Sequence, residues 1–363
     1  MNTKRVVIIN SRSIGPGHPT YIIAEMSGNH NQHYERAVEI IHAMHNAGAD
    51  AVKLQTYTPD TMTMNCNREE FVIGGGTIWD GKTLYELYEE ASTPWEWHPK
   101  LKKVANDLGM DLFSTPFDPT ATDFLEEMDV PAYKIASFEL VDIPLIKHVA
   151  SKGKPIIMST GMATKEEIAD AVQAVNDAGN DQLVLLKCTS AYPALPSDAN
   201  LNTMNDMRES FGVPVGLSDH TLGHSVPIAA TVLGGCIIEK HFCLTRDEPG
   251  VDSAFSLEPH EFKEMVDIVR ATEANPEKVV VDEAVLGDVV YRSTSETSCI
   301  PFRRSLFVVE DMRQGESFTE QNIRSIRPGN GLPPKHLPNI IGKKAAKDIS
   351  RGTPLAEELI TTD

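Results

Sequence analysis

Eight short β-rich runs, each followed by a stretch with helical spacing, leave this chain few folds to choose from. The runs are Tyr21–Met26, Ala51–Thr56, Asp111–Pro116, Ala132–Ser137, Pro155–Gly161, Leu183–Thr189, Val213–Asp219 and Cys236–Phe242. After the first run, Ala37, Ile40, Ile41 and Met44 fall on one helical face. Gly or Pro punctuates most returns to the sheet, as in GADAVKLQT, GMDLFSTP, GKPIIMST and GVPVGLSD. Eight β–α units before residue 275 predict an α/β fold, a (β/α)8 barrel, which typically takes about 250 residues. A doubly wound open sheet is the alternative. Its first turn is usually a Gly-rich phosphate loop, and AEMSGNH is not one.

In a barrel the active site gathers where strands end. Here the runs end on Glu25, Lys53 and Gln55, Thr115, Lys134 and Ser137, Ser159 and Thr160, Thr189 and Ser190, Ser218 and His220, and Lys240 and His241. Barrel interiors otherwise favour Val, Ile and Leu, so so many polar rims predict a functional site. The last two runs are joined by a helix, which places them side by side with their C-termini at one edge. His220 and His241 therefore meet at one rim and suit a divalent metal or acid–base chemistry. Two hydrogen-bonded structural histidines are the bland alternative. Lys53 and Lys134, with the hydroxyls of Ser137, Ser159 and Ser218, form an oxyanion cradle fit for phosphate or carboxylate. Glu25 reads as a base or proton relay, or as the ion-pair partner of one of those lysines.

The second loop, Tyr57 to Pro94, is long enough to be a lid or binding loop. It carries a Gly-Gly-Gly hinge at 74–76, Trp79 and the amphipathic TLYELYEEA. After Ala274 the barrel pattern stops, and residues 276–302 read as a linker. A compact module follows over 303–363. In it Asp311, Gly315, Phe318 and Ile323 recur as Asp348, Gly352, Leu355 and Ile360, each copy reading as strand, Gly turn and short helix. Between the copies RPGNG (327–331) presents an exposed arginine. A module this small is expected to dock onto the barrel.

The net charge of −19 argues against nucleic acid or an anionic membrane as partner. No run of about 18 apolar residues predicts a membrane span, and the polar start does not read as a signal peptide. Five cysteines without a CxxC pair read as reduced thiols of a cytoplasmic protein.

IIAEMSGNHN, GADAVKLQTYTPDTM, FSTPFD, YKIAS, MSTGMAT, LLKCTSAYP, GLSDHT, EKHF and RPGNG together resemble the sialic acid synthase family, over nearly the whole chain. The resemblance implies a (β/α)8 barrel over 1–275, followed by a small antifreeze-like (SAF) domain. It also implies condensation of phosphoenolpyruvate with an N-acetylated amino sugar. QTYTPDTMT, LYELYEEASTPWEWH and CTSAYP are most similar to the pseudaminic acid synthases within the family, whose sugar is 2,4-diacetamido-2,4,6-trideoxy-L-altrose. Synthases of N-acetylneuraminate or legionaminate are the nearer alternative, and a metal-dependent barrel hydrolase the distant one. Carried over by motif, the metal ligands fall on His220 and His241, with Mn2+ expected and Mg2+ or Co2+ able to substitute. Phosphoenolpyruvate contacts fall on Lys53, Thr115, Lys134, Ser137, Ser159 and Ser218, and on Ser190, where asparagine is more usual. Sugar contacts fall on Gln55, Glu139, Tyr192, Asp252 and Arg327. The family's arginine reaches a partner's barrel, which implies a domain-swapped homodimer. A carboxylate has to manage the proton of the attacking water; Glu25 is the first candidate and Glu139 the second.

Overall fold

A computed structural model describes residues 5–361 apart from 75, 77 and 249. An antiparallel hairpin, β1 (Val7–Ile9) and β2 (Arg12–Ile14), precedes the barrel. Its Val7, Ile9 and Ile14 are buried in the main core. The eight strands that follow are β3 (Tyr21–Glu25), β4 (Ala51–Thr56), β5 (Asp111–Pro116), β6 (Tyr133–Ile135), β7 (Ile156–Ser159), β8 (Leu183–Cys188), β9 (Val215–Asp219) and β10 (Ile237–His241). They close in sequence order, with β10 beside β3, and every pairing is parallel. Two of the observed strands match their β-rich runs and the others are one to three residues shorter, trimmed at either end.

Helices cover the barrel as the apolar spacing requires. Tyr34–Asn46 buries Ala37, Ile40, Ile41 and Met44 against it. Thr164 and Glu167 cap Lys165–Asp177 reciprocally. Register fixes the rim: Glu239 lies opposite Ser218, Lys240 opposite Asp219, and His241 opposite Glu25. The interior of β10 therefore presents Glu239 and His241, while Lys240 points outward to Asp219 and to the carbonyls of Thr221 and Gly223. That corrects the expectation that Lys240 belongs to the site.

Residues 276–302 do not run free as a linker. Val285, Glu296, Cys299 and Phe302 are buried, and Thr203 accepts the N–H of Val290 at 2.9 Å. In the C-terminal module β11 (Ser305–Val308) pairs antiparallel with β12 (Ile323–Ile326). The repeated halves meet at Met312 and Ile349, which exchange both backbone hydrogen bonds. Gly315 and Gly352 occupy matching turns at φ +82° and +84°, a region that favours glycine. The expected helices are not there. The first copy makes a turn at that place and the second only the 3-10 turn Glu357–Leu359.

The long second loop lies between pocket and module. Its helix Leu84–Ala91, capped by Thr83 and Glu86, turns Leu87 and Tyr88 inward. Its Met64 and Phe71 pack on Phe307, Val309 and Ile326 of the module. Of the expected hinge, Gly74 and Gly76 are described and Gly75 lies outside the described residues.

Candidate active site

A pocket of about 130 Å³ opens at the C-terminal ends of the strands. Its floor is polar. Lys53 reaches Glu239 at 2.8 Å and Glu25 at 3.0 Å, and Lys134 reaches the same Glu239 oxygen at 3.2 Å. Gln55 donates to Glu25 at 2.9 Å and to Ser27 at 3.0 Å. Burial pushes the Glu25 carboxyl up from its ordinary value, against the pull of Lys53. Burial also raises Glu239, but Lys134 and Lys53 outweigh it and hold that carboxyl low, at about 2. Lys134 is lowered by burial to about 8, since Glu239 offsets only part of the desolvation. Buried charges persist here because they are paired.

His220 and His241 face each other, ring centroids 5.4 Å apart. The Nδ1 of His220 donates to the Thr189 carbonyl at 2.9 Å, which leaves Nε2 free to act as a ligand. Nδ1 of His241 is buried without a hydrogen-bond partner, and burial beside His220 and Lys53 keeps that ring neutral. The Nε2 of His220 and the Nδ1 of His241 fit a divalent ion. Among the described residues no cluster of three His, Cys, Asp or Glu side chains is found, so water or substrate would have to complete the shell of an ion held there.

The walls are apolar and aromatic: Tyr57, Trp79, Phe117, Phe138, Phe255 and Phe302. Trp79 donates its indole N–H to the Val251 carbonyl at 3.1 Å. Tyr192 lies 4.5 Å from the His220 ring. Asp252 is hydrogen-bonded by Ser27, and burial lifts its carboxyl to about 6. Arg327 closes the roof. Far from exposed, it is 6% accessible, and its guanidinium lies 4.6 Å over the Phe138 ring. Its Nη2 donates to Glu139 at 2.7 Å and its Nη1 to the Tyr88 hydroxyl at 3.0 Å. The pull of Glu139 explains why a turn-rich loop buries a charge.

Eleven of the expected site residues line this one pocket: Lys53, Gln55, Lys134, Ser137, Ser159, Tyr192, Ser218, His220, His241, Asp252 and Arg327. Glu25 stands directly behind Lys53 and Gln55. Thr115 is paired in register with Gln55, and Ser190 is tucked behind Ser137 and Gly161. Glu139 lies behind Arg327 and is also held by Arg304 at 3.2 Å. Sequence reasoning missed Glu239 and Arg304. Strand alternation back from His241 would have found Glu239, whereas Arg304 had no local signal.

The model of the NeuB family matches residues 40–280, and that of the SAF domain matches residues 303–361. The chain belongs to the NeuB family. A pseudaminic acid synthase of Helicobacter pylori is 46% identical to this NeuB-family chain, covering 94% of it and 97% of the relative. An N,N'-diacetyllegionaminic acid synthase of Legionella pneumophila is 36% identical, covering 94% of each. Among solved structures, the spore coat polysaccharide biosynthesis protein SpsE of Bacillus subtilis superposes with a TM-score of 0.86 at 31% identity, over 99% of this chain and 100% of that one.

Proposed function

We propose that this protein is a pseudaminic acid synthase, a transferase that condenses phosphoenolpyruvate with 2,4-diacetamido-2,4,6-trideoxy-L-altrose to give pseudaminic acid and phosphate. The observation that carries it is a two-lysine, three-serine floor facing an aromatic wall. The floor suits a small phosphorylated carboxylate, and the wall suits a sugar with a methyl carbon and two acetamido groups. Higher identity to a pseudaminic than to a legionaminic acid synthase supports the choice of sugar.

In this reading Lys53, Lys134, Ser137, Ser159, Ser190, Ser218 and Thr115 bind phosphoenolpyruvate, while Gln55, Tyr192, Asp252 and Arg327 orient the sugar. Carbon 3 of phosphoenolpyruvate bonds to the aldehyde carbon, whose oxygen becomes a hydroxyl. Water adds to the cationic carbon 2, and the C–O bond to phosphate breaks. Glu25, its proton affinity raised and its oxygens free of arginine, takes the proton of that water. Glu139 is engaged by two arginines and serves as their anchor. His220 and His241 would hold Mn2+, which supplies Lewis-acid polarisation of the aldehyde when bound. Five free thiols support a reducing, cytoplasmic setting, and no helix among the described residues is long and apolar enough to cross a membrane. A domain-swapped homodimer belongs to the proposal through the resemblance alone, because in the single chain Arg327 enters its own barrel.

Phosphate release by the purified protein tests the reading. Release is expected only with both substrates, to be lost on chelation and restored by Mn2+. N-acetylmannosamine should be turned over at least about tenfold more slowly than the diacetamido sugar, the scale on which a pocket rejects a misfitting substituent. Equal turnover of the two sugars moves the reading to a neuraminate synthase. No release with either sugar overturns it.

A further inference from the structure

Between barrel and module, the 3-10 helix Thr294–Phe302 carries a fully buried carboxylate, Glu296. One of its oxygens accepts the N–H groups of Met162 and Ser190, each at 2.8 Å. The other accepts the N–H of Ser293 at 2.7 Å. Glu296 thus ties together the loops that follow β7 and β8. The Met162 peptide is gripped from its other side as well, since Arg292 and Arg303 both donate to its carbonyl. Met162 is held at φ +60°, where a residue with a side chain rarely sits.

Gly161 shows how close this junction is. An added Cβ there would lie 2.2 Å from the Ser190 hydroxyl, 2.9 Å from that of Ser137 and 3.2 Å from the Glu296 carboxylate. The Gly161 N–H donates to the Ser137 hydroxyl at 3.0 Å. Ser159 stands two residues earlier, its hydroxyl buried and unpartnered. A negative charge beside a pocket for an anion opposes binding by Coulomb's law. The use of Glu296 is therefore in what it holds, through charge-assisted bonds to three backbone donors that a neutral side chain could not bind as strongly.

We propose that Glu296 is a positioning residue: by fixing the Met162 and Ser190 peptides it sets Ser137, Ser159 and Ser190 in the arrangement that receives phosphoenolpyruvate. The inference rests on the functional reading above. In the full-length enzyme, Glu296→Gln should raise the KM for phosphoenolpyruvate about ten- to a hundredfold, the loss typical of a charge-assisted contact. The KM for the sugar should stay within about twofold, since the sugar's side of the pocket is held by Arg327 and Glu139. Amide exchange should quicken at Met162 and Ser190. Arg292→Gln, which loosens the same peptide from its carbonyl side, should move the phosphoenolpyruvate KM in the same direction by a smaller factor, and it keeps the test open should Glu296→Gln not fold. An inactive wild type would count against the functional reading. An active wild type whose variants leave the phosphoenolpyruvate KM unchanged, or shift both KM values together, would overturn the role of Glu296.

Discussion

Glu239 decides what the two floor lysines have to offer. It already holds Lys53 and Lys134, so an entering anion shares those cations with a carboxylate instead of meeting them free. Deleting one of them should still be costly. Lys134→Met is expected to lose about 1.5–3 kcal/mol of phosphoenolpyruvate binding, a ten- to hundredfold rise in KM, with the sugar's KM nearly unmoved. Steady-state kinetics with each substrate varied in turn checks this, and an unaltered phosphoenolpyruvate saturation curve would sink it. Lys53, Lys134 and the serines were legible because each interrupts or closes an otherwise apolar β-rich run. Glu239 escaped because the last strand was read by its final pair, Lys240 and His241, and not by alternation. Arg304 and Glu296 escaped for a different reason. Their partners Glu139 and Met162 lie 165 and 134 positions away, and no local pattern carries such a pairing.

At the scale of elements, the eight barrel strands were legible because each is a short apolar run with punctuated ends. The β1–β2 hairpin was not, since three-residue strands leave no period to read. The buried histidines that seat the helix His98–Asp107 were equally silent. His98 donates to the Pro94 carbonyl at 3.2 Å and bonds Thr56 at 2.9 Å. His30 accepts from the Gln32 N–H at 3.1 Å, bonds Thr93 at 2.9 Å and meets the Trp97 ring edge-on. Burial lowers both to about 4, so both stay neutral in the fold. The unfolded chain binds their protons near pH 6.5 and the folded chain only near 4. Their contribution is therefore fully present above 6.5 and is lost as pH falls through that window. By pH 5 the loss should be on the order of 2 kcal/mol for each histidine. Urea denaturation at pH 7 and pH 5 should show this decline, and His30→Gln/His98→Gln should flatten it. Equal slopes in the wild type and the double variant would refute the assignment.

At the scale of the whole molecule, the C-terminal module belongs to the site, because its Arg327 roofs the pocket and its Phe307 cluster holds the second loop. Mixing inactive Arg327→Ala with inactive His241→Ala chains should tell which barrel the arginine serves. If chains exchange modules, each heterodimer regains one intact site, and about half the wild-type activity per heterodimer should return. No recovery despite demonstrated exchange of subunits means that each chain roofs itself, as in the structure. Either way, the roof is written near the end of the message. A ribosome has translated every barrel strand long before it reaches Arg327, and domains tend to fold in the order they emerge. The nascent barrel thus waits with Glu139 lacking both Arg304 and Arg327, and a chain cut short by a late stop codon or a protease keeps its floor and its paired histidines under an open sky.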